Sequence, residues 1–404
     1  MERIKFIDGD SHVLEPPSLW EHYLEKQYQP LIKGFCRWDG ISEAERAQLS
    51  PDQIGATDPL VFRLELEVMG RRLPMSRERE GPTQQGQGRV LTDLSRAYEK
   101  WADQDFPASA YRHLMDNHGI DYMILYPTVG FWTTSVPEMD AATAMALRRA
   151  YNRWLGDYVK EIGPGACHAV SIDLRDPAAA AAEVRRCVKE YDSKAVHLNP
   201  APVPGRRVFD EACDVLWATC AELGVPIGLH PSAENPLDQG LLDYLPGLRN
   251  CRTTVSFCIG SMLACTAFIM GGVLERHPKL KVVFLESGCG WAAFWPERLE
   301  SGIQGGTRRL KILGLNRSPV QYFQDQCFVA AEADDPGIKD VIAAIGDHVL
   351  LASTDFGHPE GRKYATAVQS VMELPEVSLE SKRKLLWDNG LRAYPINPNA
   401  NAEV

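Results

Sequence analysis

The sequence has little of what a nucleic-acid-binding or membrane protein needs. Its 43 Lys and Arg residues are outnumbered by 54 Asp and Glu residues, giving a formal net charge of −11. Phosphate binding draws on clustered basic side chains, so we expect no nucleic acid partner. The sequence also contains no run of about 18 uninterrupted apolar residues, and we therefore expect no membrane partner.

Cysteine motifs are missing as well. The ten Cys residues are dispersed, and no two form the C-x-x-C pair of zinc ribbons and redox sites. We therefore expect these cysteines to be reduced and mostly buried. The opening MERIKFIDGD reaches acidic residues before an apolar core of signal-peptide length can develop, so we expect a cytoplasmic location.

Two common catalytic motifs are absent from the chain. There is no G-x-x-x-x-G-K-[ST] phosphate loop and no G-x-S-x-G nucleophile elbow. The Gly-rich stretch GPTQQGQG lacks the strand and helix that would flank a dinucleotide site. These absences exclude the usual nucleotide-binding and serine-hydrolase sites.

What is present is a regular alternation of short apolar segments with amphipathic helical segments, which is typical of parallel sheets. Eight strands are predicted, and their number favours a (β/α)8 TIM barrel. One predicted helix is Ala141–Glu161. The predicted strands are Ile4–Asp10, Tyr122–Tyr126, Cys167–Ser171, Lys194–Leu198, Val225–Leu229, Leu280–Leu285, Cys327–Ala331 and His348–Ser353.

A long polar segment, 16–105, interrupts this alternation after the first strand. A structureless loop of that length is implausible in a compact domain, so we expect a partly helical lid or an interface segment. We predict one barrel domain over 1–395 that includes this insertion, and a tail over 396–404. We also expect a homo-oligomer, a dimer.

Polar side chains with metal-binding chemistry recur where the predicted strands end. Barrel enzymes place their reacting groups at these carboxyl ends. Asp10 and His12 are one residue apart, so an extended chain directs both to the same face. The other candidates are His197, within or just after the fourth strand, and three residues that follow later strands, His230, Glu286 and Asp355. Mixed imidazole and carboxylate donors suit Zn²⁺ or Mn²⁺.

Several segments together resemble the amidohydrolase superfamily, and within it the amidohydrolase-related family that includes aminocarboxymuconate-semialdehyde decarboxylase. They are DGDSHVLEPPSLW, ELGVPIGLHP, ERHPKLKVVFLESGCGWAAFWPERL and LLASTDFGHPEG. The likeness spans nearly the whole barrel, and the order of the motifs is more specific than any one of them.

The resemblance implies a (β/α)8 barrel with one divalent metal ion. We expect this ion to be Zn²⁺, with Mn²⁺ as the alternative. It implies Asp10, His12, His230 and Asp355 as the metal ligands, with Asp355 also handling a proton. The sequence departs from this family at the sixth strand, where Glu286 stands in place of a histidine.

The remaining candidates are predicted with their structural alternatives open. Glu286 is expected to bind metal, a ligating histidine or substrate, or else to cap the helix beginning near Cys289. His197 is a candidate acid–base group that could equally point outward into the helix layer. Trp291 and His358 are predicted to contact substrate.

The leading functional hypothesis is non-oxidative decarboxylation of a small unsaturated or aromatic carboxylic acid, with Asp355 or a histidine protonating the carbon that loses CO2. Hydrolysis of an amide, lactone or ester with Asp355 as base is the alternative, because the same ligands serve both reactions. A non-catalytic barrel used for binding is the third hypothesis. The loss of metal-ligating residues would favour this third hypothesis, but every position where a metal ligand is expected holds a residue that can bind a metal ion.

Overall fold

The structure is a computed structural model that describes most of the 404-residue chain. The described residues are 3–16, 18–39, 61–73, 101, 106–128, 130–201, 203–232, 235–241, 243–245, 248–303, 306–357 and 365–399. The predicted substrate contact His358, the GPTQQGQG stretch and the last five residues of the predicted tail lie outside these ranges.

Eight parallel strands form one sheet, in the same order along the sheet as along the chain. All seven pairs of neighbouring strands in this sheet are in parallel register. The sheet confirms the predicted (β/α)8 barrel. Its strands are β1 Ile7–His12, β5 Tyr122–Tyr126, β6 Ala166–Ser171, β7 Ala195–Leu198, β8 Ile227–Leu229, β9 Val282–Phe284, β10 Cys327–Glu332 and β11 Leu350–Ser353.

The barrel closes where its first and last strands meet. β1 lies against β11, and a parallel bridge joins Ser11 to Phe356 just past the end of β11. Side chains alternate along each strand between the barrel interior and the helix layer. One buried cluster therefore fills the barrel, and it includes Ile124, Tyr126, Val283, Leu285 and Phe328.

The helices cover the outside of the barrel. The α-helices are Ser18–Tyr23, Ala108–His118, Ala141–Ile162, Pro177–Tyr191, Asp214–Leu223, Pro236–Gly240, Arg249–Met270, Val273–Arg276, Trp295–Ser301, Gly306–Ile312, Pro319–Gln326, Ile338–Ala344, Ala367–Glu373, Leu379–Arg383 and Asn389–Ala393. Short 3-10 helices are Gln29–Leu31, Gly130–Thr134, Glu211–Cys213, Gly290–Ala293 and Asp347–Val349, and Lys384–Asp388 is a π-helical turn.

The helix Ala141–Ile162 shows how local sequence sets these elements. The Asp140 side chain accepts a hydrogen bond from the Thr143 backbone N–H at its start, which satisfies one unpaired donor of the first turn. Its predicted span, Ala141–Glu161, is confirmed to within one residue. The aromatic side chains of Tyr151 and Trp154, one turn apart, are buried on its inner face.

The described parts of the long insertion include a second sheet. Strands β2 Ile32–Asp39, β3 Val61–Val68 and β4 Arg71–Leu73 pair antiparallel in the order β2-β3-β4. Leu66, Val68 and Leu73 are buried in the main hydrophobic core, so the small sheet packs onto the barrel domain. The described part of the insertion thus combines these strands with the helices Ser18–Tyr23 and Gln29–Leu31. Strand β3 reads VFRLELEV, an alternation of apolar and charged residues that favours a strand.

The helix Arg249–Met270 is unusually apolar. Its stretch Cys251–Met270 is long and apolar enough to cross a membrane, judged by length and composition alone. It lies between β8 and β9, where a barrel helix belongs, and Cys265, Phe268 and Ile269 are fully buried. Packing onto the barrel accounts for this buried face, whereas Ile259 and Leu263 on the same helix are exposed.

The last helix is tied to the final barrel strand through a buried amide. Asn389 Nδ2 donates hydrogen bonds to the carbonyl oxygens of Asp347, at 2.8 Å, and Leu350, at 2.7 Å. We expect Asn389→Ala to lower the free energy of unfolding by about 2 kcal/mol, because buried carbonyls lose their donor. Urea denaturation measures this. Gln369→Ala, at an exposed position on a nearby helix, should change stability by less than about 0.5 kcal/mol, and equal effects of the two substitutions would contradict the expectation.

Candidate metal centre

Four buried side chains converge at the carboxyl end of the barrel. Asp10, His12, His230 and Asp355 each place one potential ligand atom within 4.8 Å of the others. His12 Nε2 lies 3.2 Å from Asp355 Oδ1 and 3.6 Å from Asp10 Oδ1. The structure therefore brings together the four residues predicted as ligands, although they come from strand ends up to 345 positions apart.

The two histidines are oriented by backbone carbonyls on the far side of each ring. His12 Nδ1 lies 2.9 Å from the carbonyl oxygen of Pro127, and His230 Nδ1 lies 2.7 Å from that of Pro231. Because a carbonyl oxygen only accepts, each Nδ1 carries the ring hydrogen. In the neutral rings the Nε2 lone pairs then face the cluster, as metal-ligating histidines require.

This donor set fits a divalent transition metal. Two imidazole nitrogens and two carboxylates are the ligands that Zn²⁺ and Mn²⁺ accept, and the carboxylates supply negative charge to balance the ion. A buried pair of carboxylates this close together is costly without a compensating cation. The residues present therefore fit the predicted metal ion.

A further buried carboxylate, Asp8, holds the two sides of the centre together. Its oxygens accept hydrogen bonds from the Ser11 hydroxyl and from the backbone N–H and hydroxyl of Thr354. Complete burial raises the pKa of Asp8 to about 6, although these hydrogen bonds act in the opposite direction. Asp8 lies deeper than the four candidate ligands and acts through the segments that carry Asp10 and Asp355.

Backbone strain occurs at two of the candidate residues. Glu286 has φ 39° and Asp355 has φ 50°, in the left-handed region that costs energy for residues other than glycine. Each residue comes just after its barrel strand ends, and the turn directs its side chain toward the centre. Glu286 Oε2 lies 3.4 Å from His230 Nε2, and the Glu286 side chain is 13 % exposed. Strain of this kind clusters at functional sites.

The backbone N–H of Cys289, which the capping alternative offers to Glu286, has another acceptor. The backbone N–H of Cys289, at the start of the following 3-10 helix, donates instead to Asp335 Oδ2 at 2.6 Å. Glu286 faces the histidine side of the centre, and whether it binds the metal, supports His230 or contacts substrate stays a prediction.

His197 lies on the inner side of β7 beside the centre, so the outward alternative does not hold. Its ring centroid is 6.5 Å from that of His230 and 4.9 Å from that of Phe131. Burial, followed by the positive charge of Arg148, keeps the pKa of His197 well below its usual value. The imidazole is therefore neutral at physiological pH.

Phe131 forms an aromatic wall that no sequence pattern singled out. Its ring stacks on His230 at a centroid distance of 4.6 Å and meets His12 edge-on at 5.7 Å. Glu15 supports this wall, because its Oε1 accepts from the backbone N–H groups of Thr128 and Gly130. Glu15, just after the first strand, is thus linked to the site through its contacts with the backbone.

Trp291 lies among core aromatics. Its ring meets Phe284 and Phe323 edge-on at 5.0 and 6.0 Å, and its Nε1–H donates to the Ser287 hydroxyl. These contacts account for its burial, and the predicted substrate contact rests on the sequence alone. The same is true of His358, which lies outside the described residues.

A barrel with a buried cluster of imidazoles and carboxylates at its carboxyl end defines a class of metal-dependent barrel enzymes. The amidohydrolase family model matches residues 8–396, which is nearly the whole chain. The chain belongs to the amidohydrolase family.

Two curated relatives are decarboxylases. The 2-amino-3-carboxymuconate-6-semialdehyde decarboxylase of Dictyostelium discoideum is 25 % identical over 54 % of this chain, and the match spans 57 % of that enzyme's length. The gamma-resorcylate decarboxylase of Polaromonas sp. is 25 % identical over 70 % of this chain and 86 % of its own.

Solved structures share the fold. An amidohydrolase from Mycobacterium avium subsp. paratuberculosis superposes with a TM-score of 0.74 at 22 % identity, covering 97 % of this chain and all of its own. A dihydroxybenzoic acid decarboxylase from Polaromonas sp., with bound manganese and the inhibitor 2-nitroresorcinol, superposes with a TM-score of 0.55 at 21 % identity. The alignment covers 74 % of this chain and 92 % of that enzyme.

The orientation of His230 predicts its contribution to metal affinity. We expect His230→Ala to lose metal, with occupancy falling at least about tenfold in competition with a chelator, because a nitrogen donor is removed. Elemental analysis after dialysis measures the metal content. His113→Ala, which removes an exposed imidazole on the helix Ala108–His118, should retain the metal. Equal metal content in both variants would show that His230 is not a ligand.

Proposed function

We propose that this protein is a divalent-metal-dependent decarboxylase that releases CO2 from a small aromatic or otherwise unsaturated carboxylic acid. The observation that carries this proposal is the buried convergence of Asp10, His12, His230 and Asp355, in a family whose curated relatives include decarboxylases of such acids.

The proposed reaction needs no oxidant. Asp355 delivers a proton to the carbon that bears the carboxylate, and the bond to the carboxylate then breaks. The electron pair of that bond restores the unsaturated system, and CO2 leaves, so one proton is consumed for each CO2 released. Asp355 is suited to this step because its strained backbone and the hydrogen bond from its N–H to the Asp10 carbonyl hold it at the centre.

A divalent ion held by the four candidate ligands would anchor an anionic oxygen of the substrate and stabilise negative charge that develops on it. Either Zn²⁺ or Mn²⁺ suits the donor set, and manganese is present in a related decarboxylase. Glu286 and His197 flank this position and complete the proposed catalytic group, with Trp291 and His358 as proposed substrate contacts. The cytoplasmic location and the homodimer are further proposals that rest on the sequence.

The insertion is proposed to shape the substrate pocket. Strand β3 contacts the segment Gly130–Thr134, which carries the aromatic wall over His230. Arg71 on β4 also pairs with Glu138, just beyond that segment, at 2.7 Å. These contacts with the segment beside His230 support the proposal that the small sheet acts as a lid.

Metal binding and turnover should separate at Asp355. We expect Asp355→Asn to lower the rate of CO2 release by on the order of a hundredfold or more while retaining part of the metal, because an amide oxygen approaches a cation but cannot donate an acidic proton. Single-turnover CO2 release from γ-resorcylate and related aromatic acids, with metal content measured on the same samples, tests this.

Two results would contradict the proposal in different ways. Wild-type turnover by Asp355→Asn would remove the proton-transfer role. Release of an amine or alcohol from amides, lactones or esters, without CO2 release from any acid in the panel, would favour the hydrolytic alternative.

The lid role predicts local protection when a substrate-like acid binds. We expect γ-resorcylate, added to the manganese-loaded enzyme, to slow hydrogen–deuterium exchange in Val61–Val68 and Gly130–Thr134, because these segments close over the acid. The helix Leu379–Arg383, which contacts Asp347 at the opposite end of β11, is the reference region and should not change. Protection confined to the strand ends would contradict a lid.

A further inference from the structure

Three buried side chains from three elements form a hydrogen-bonded chain that ends beside the metal centre. Arg148 Nη1 donates to Ser171 Oγ at 3.0 Å, and Ser171 Oγ lies 2.9 Å from His197 Nδ1. Arg148, Ser171 and His197 are 3 %, 0 % and 1 % exposed. Burying a guanidinium group costs free energy, so the buried Arg148 is expected to have a function beside the metal centre.

The position of Ser171 is set by the same helix that carries Arg148. Asn152, one turn further along, accepts from the Ser171 backbone N–H at 2.8 Å and donates to its carbonyl oxygen at 3.0 Å. The Asn152 amide also donates to Glu183 Oε1. Arg148 and Asn152 are four residues apart and therefore lie on the same face of the helix. From that face Asn152 holds the backbone of Ser171 and Arg148 holds its hydroxyl.

The direction of these hydrogen bonds decides the tautomer of His197. A guanidinium only donates, so Ser171 Oγ accepts from Arg148 and its own hydrogen is left for another acceptor. Among the described residues, the acceptor that lies within hydrogen-bond distance is His197 Nδ1. A neutral imidazole that accepts at Nδ1 carries its hydrogen on Nε2.

His12 and His230 show the opposite arrangement. Their Nδ1 atoms face the carbonyl oxygens of Pro127 and Pro231, which leaves Nε2 as the lone pair. His197 instead has a hydroxyl at Nδ1, and its Nε2 is buried. The three rings lie together, but only the first two present a lone pair for a metal.

We propose that Arg148 and Ser171 are positioning residues that hold His197 as the Nε2–H tautomer, so that His197 donates a hydrogen bond to an anionic oxygen of the bound acid. This inference rests on the proposed decarboxylase function for the identity of the acid, but the tautomer itself does not depend on turnover. The ligand chemistry is a carboxylate or an ionised ring hydroxyl, because such an oxygen accepts from N–H while binding the cation.

The tautomer can be read directly from histidine ¹⁵N chemical shifts in the metal-free and Zn²⁺-loaded protein, since the two neutral forms differ in which nitrogen carries hydrogen. His197→Gln assigns the signals by their loss. We expect the Nε2–H form in the wild type and a mixture of tautomers in Ser171→Ala. A wild-type Nδ1–H form would overturn the inference.

Kinetics and metal content add a second readout. Ser171→Ala should lower kcat by on the order of a hundredfold with unchanged metal content, because the donor at Nε2 is no longer fixed. Ser171→Thr keeps a hydroxyl and should recover most of the loss. Equal losses of activity in both variants, or loss of metal with activity, would show a merely structural role and overturn the inference.

A matched control lies in the helix layer, where Ser193 Oγ is 2.8 Å from Nδ1 of the buried His168. Ser193→Ala should alter the His168 signals and leave turnover unchanged, and a comparable loss of turnover would overturn the assignment to His197. If the wild type releases no CO2 from any acid, the proposed function fails, whereas the ¹⁵N shifts still decide the tautomer.

Discussion

The candidate metal centre depends on the closure of the barrel between its first and last strands. Asp8 on β1 binds the backbone and hydroxyl of Thr354 just beyond β11, and the N–H of Asp355 donates to the Asp10 carbonyl. His12 N–H donates to the Phe356 carbonyl at 2.7 Å. These contacts set the distance between Asp10 and His12 on β1 and Asp355 beyond β11, because the closed strands cannot shift past one another.

The centre is surrounded by groups whose burial would be unfavourable in a protein selected for stability alone. Asp8 and Arg148 are buried ionisable side chains, and Glu286 and Asp355 occupy strained backbone conformations. The rest of the barrel offsets these costs through an apolar interior and a continuous core under the helices. Rigid surroundings are also what a site needs if proton donors and metal ligands are to be held to within a fraction of an ångström.

Hydrogen-bond direction assigns different chemistry to similar side chains. Carbonyl oxygens at Nδ1 make His12 and His230 acceptors at Nε2, whereas a hydroxyl that already accepts from Arg148 makes His197 a donor. The neutral state of His197 is favoured first by its burial and then by the positive charge of Arg148, which lower its pKa, and a divalent ion nearby would act in the same direction.

Much of this protein could be predicted from the order of its residues. Eight apolar segments separated by amphipathic helices predicted the barrel, and polar residues at the ends of those segments identified six candidate site residues, because parallel strands bring their carboxyl ends to one face. The resemblance to the amidohydrolase superfamily then singled out Asp10, His12, His230 and Asp355 as the ligands. Strand limits were less certain: β9 begins at Val282 where Leu280 was predicted, since pairing with both neighbours decides where a strand begins. Only the tertiary structure decided that Phe131 covers His230, that Asp335 and not Glu286 meets the Cys289 N–H, and that Arg148 reaches Ser171. The physical reason is that such contacts depend on packing distance and hydrogen-bond geometry between segments far apart in the chain, which residue order does not encode locally.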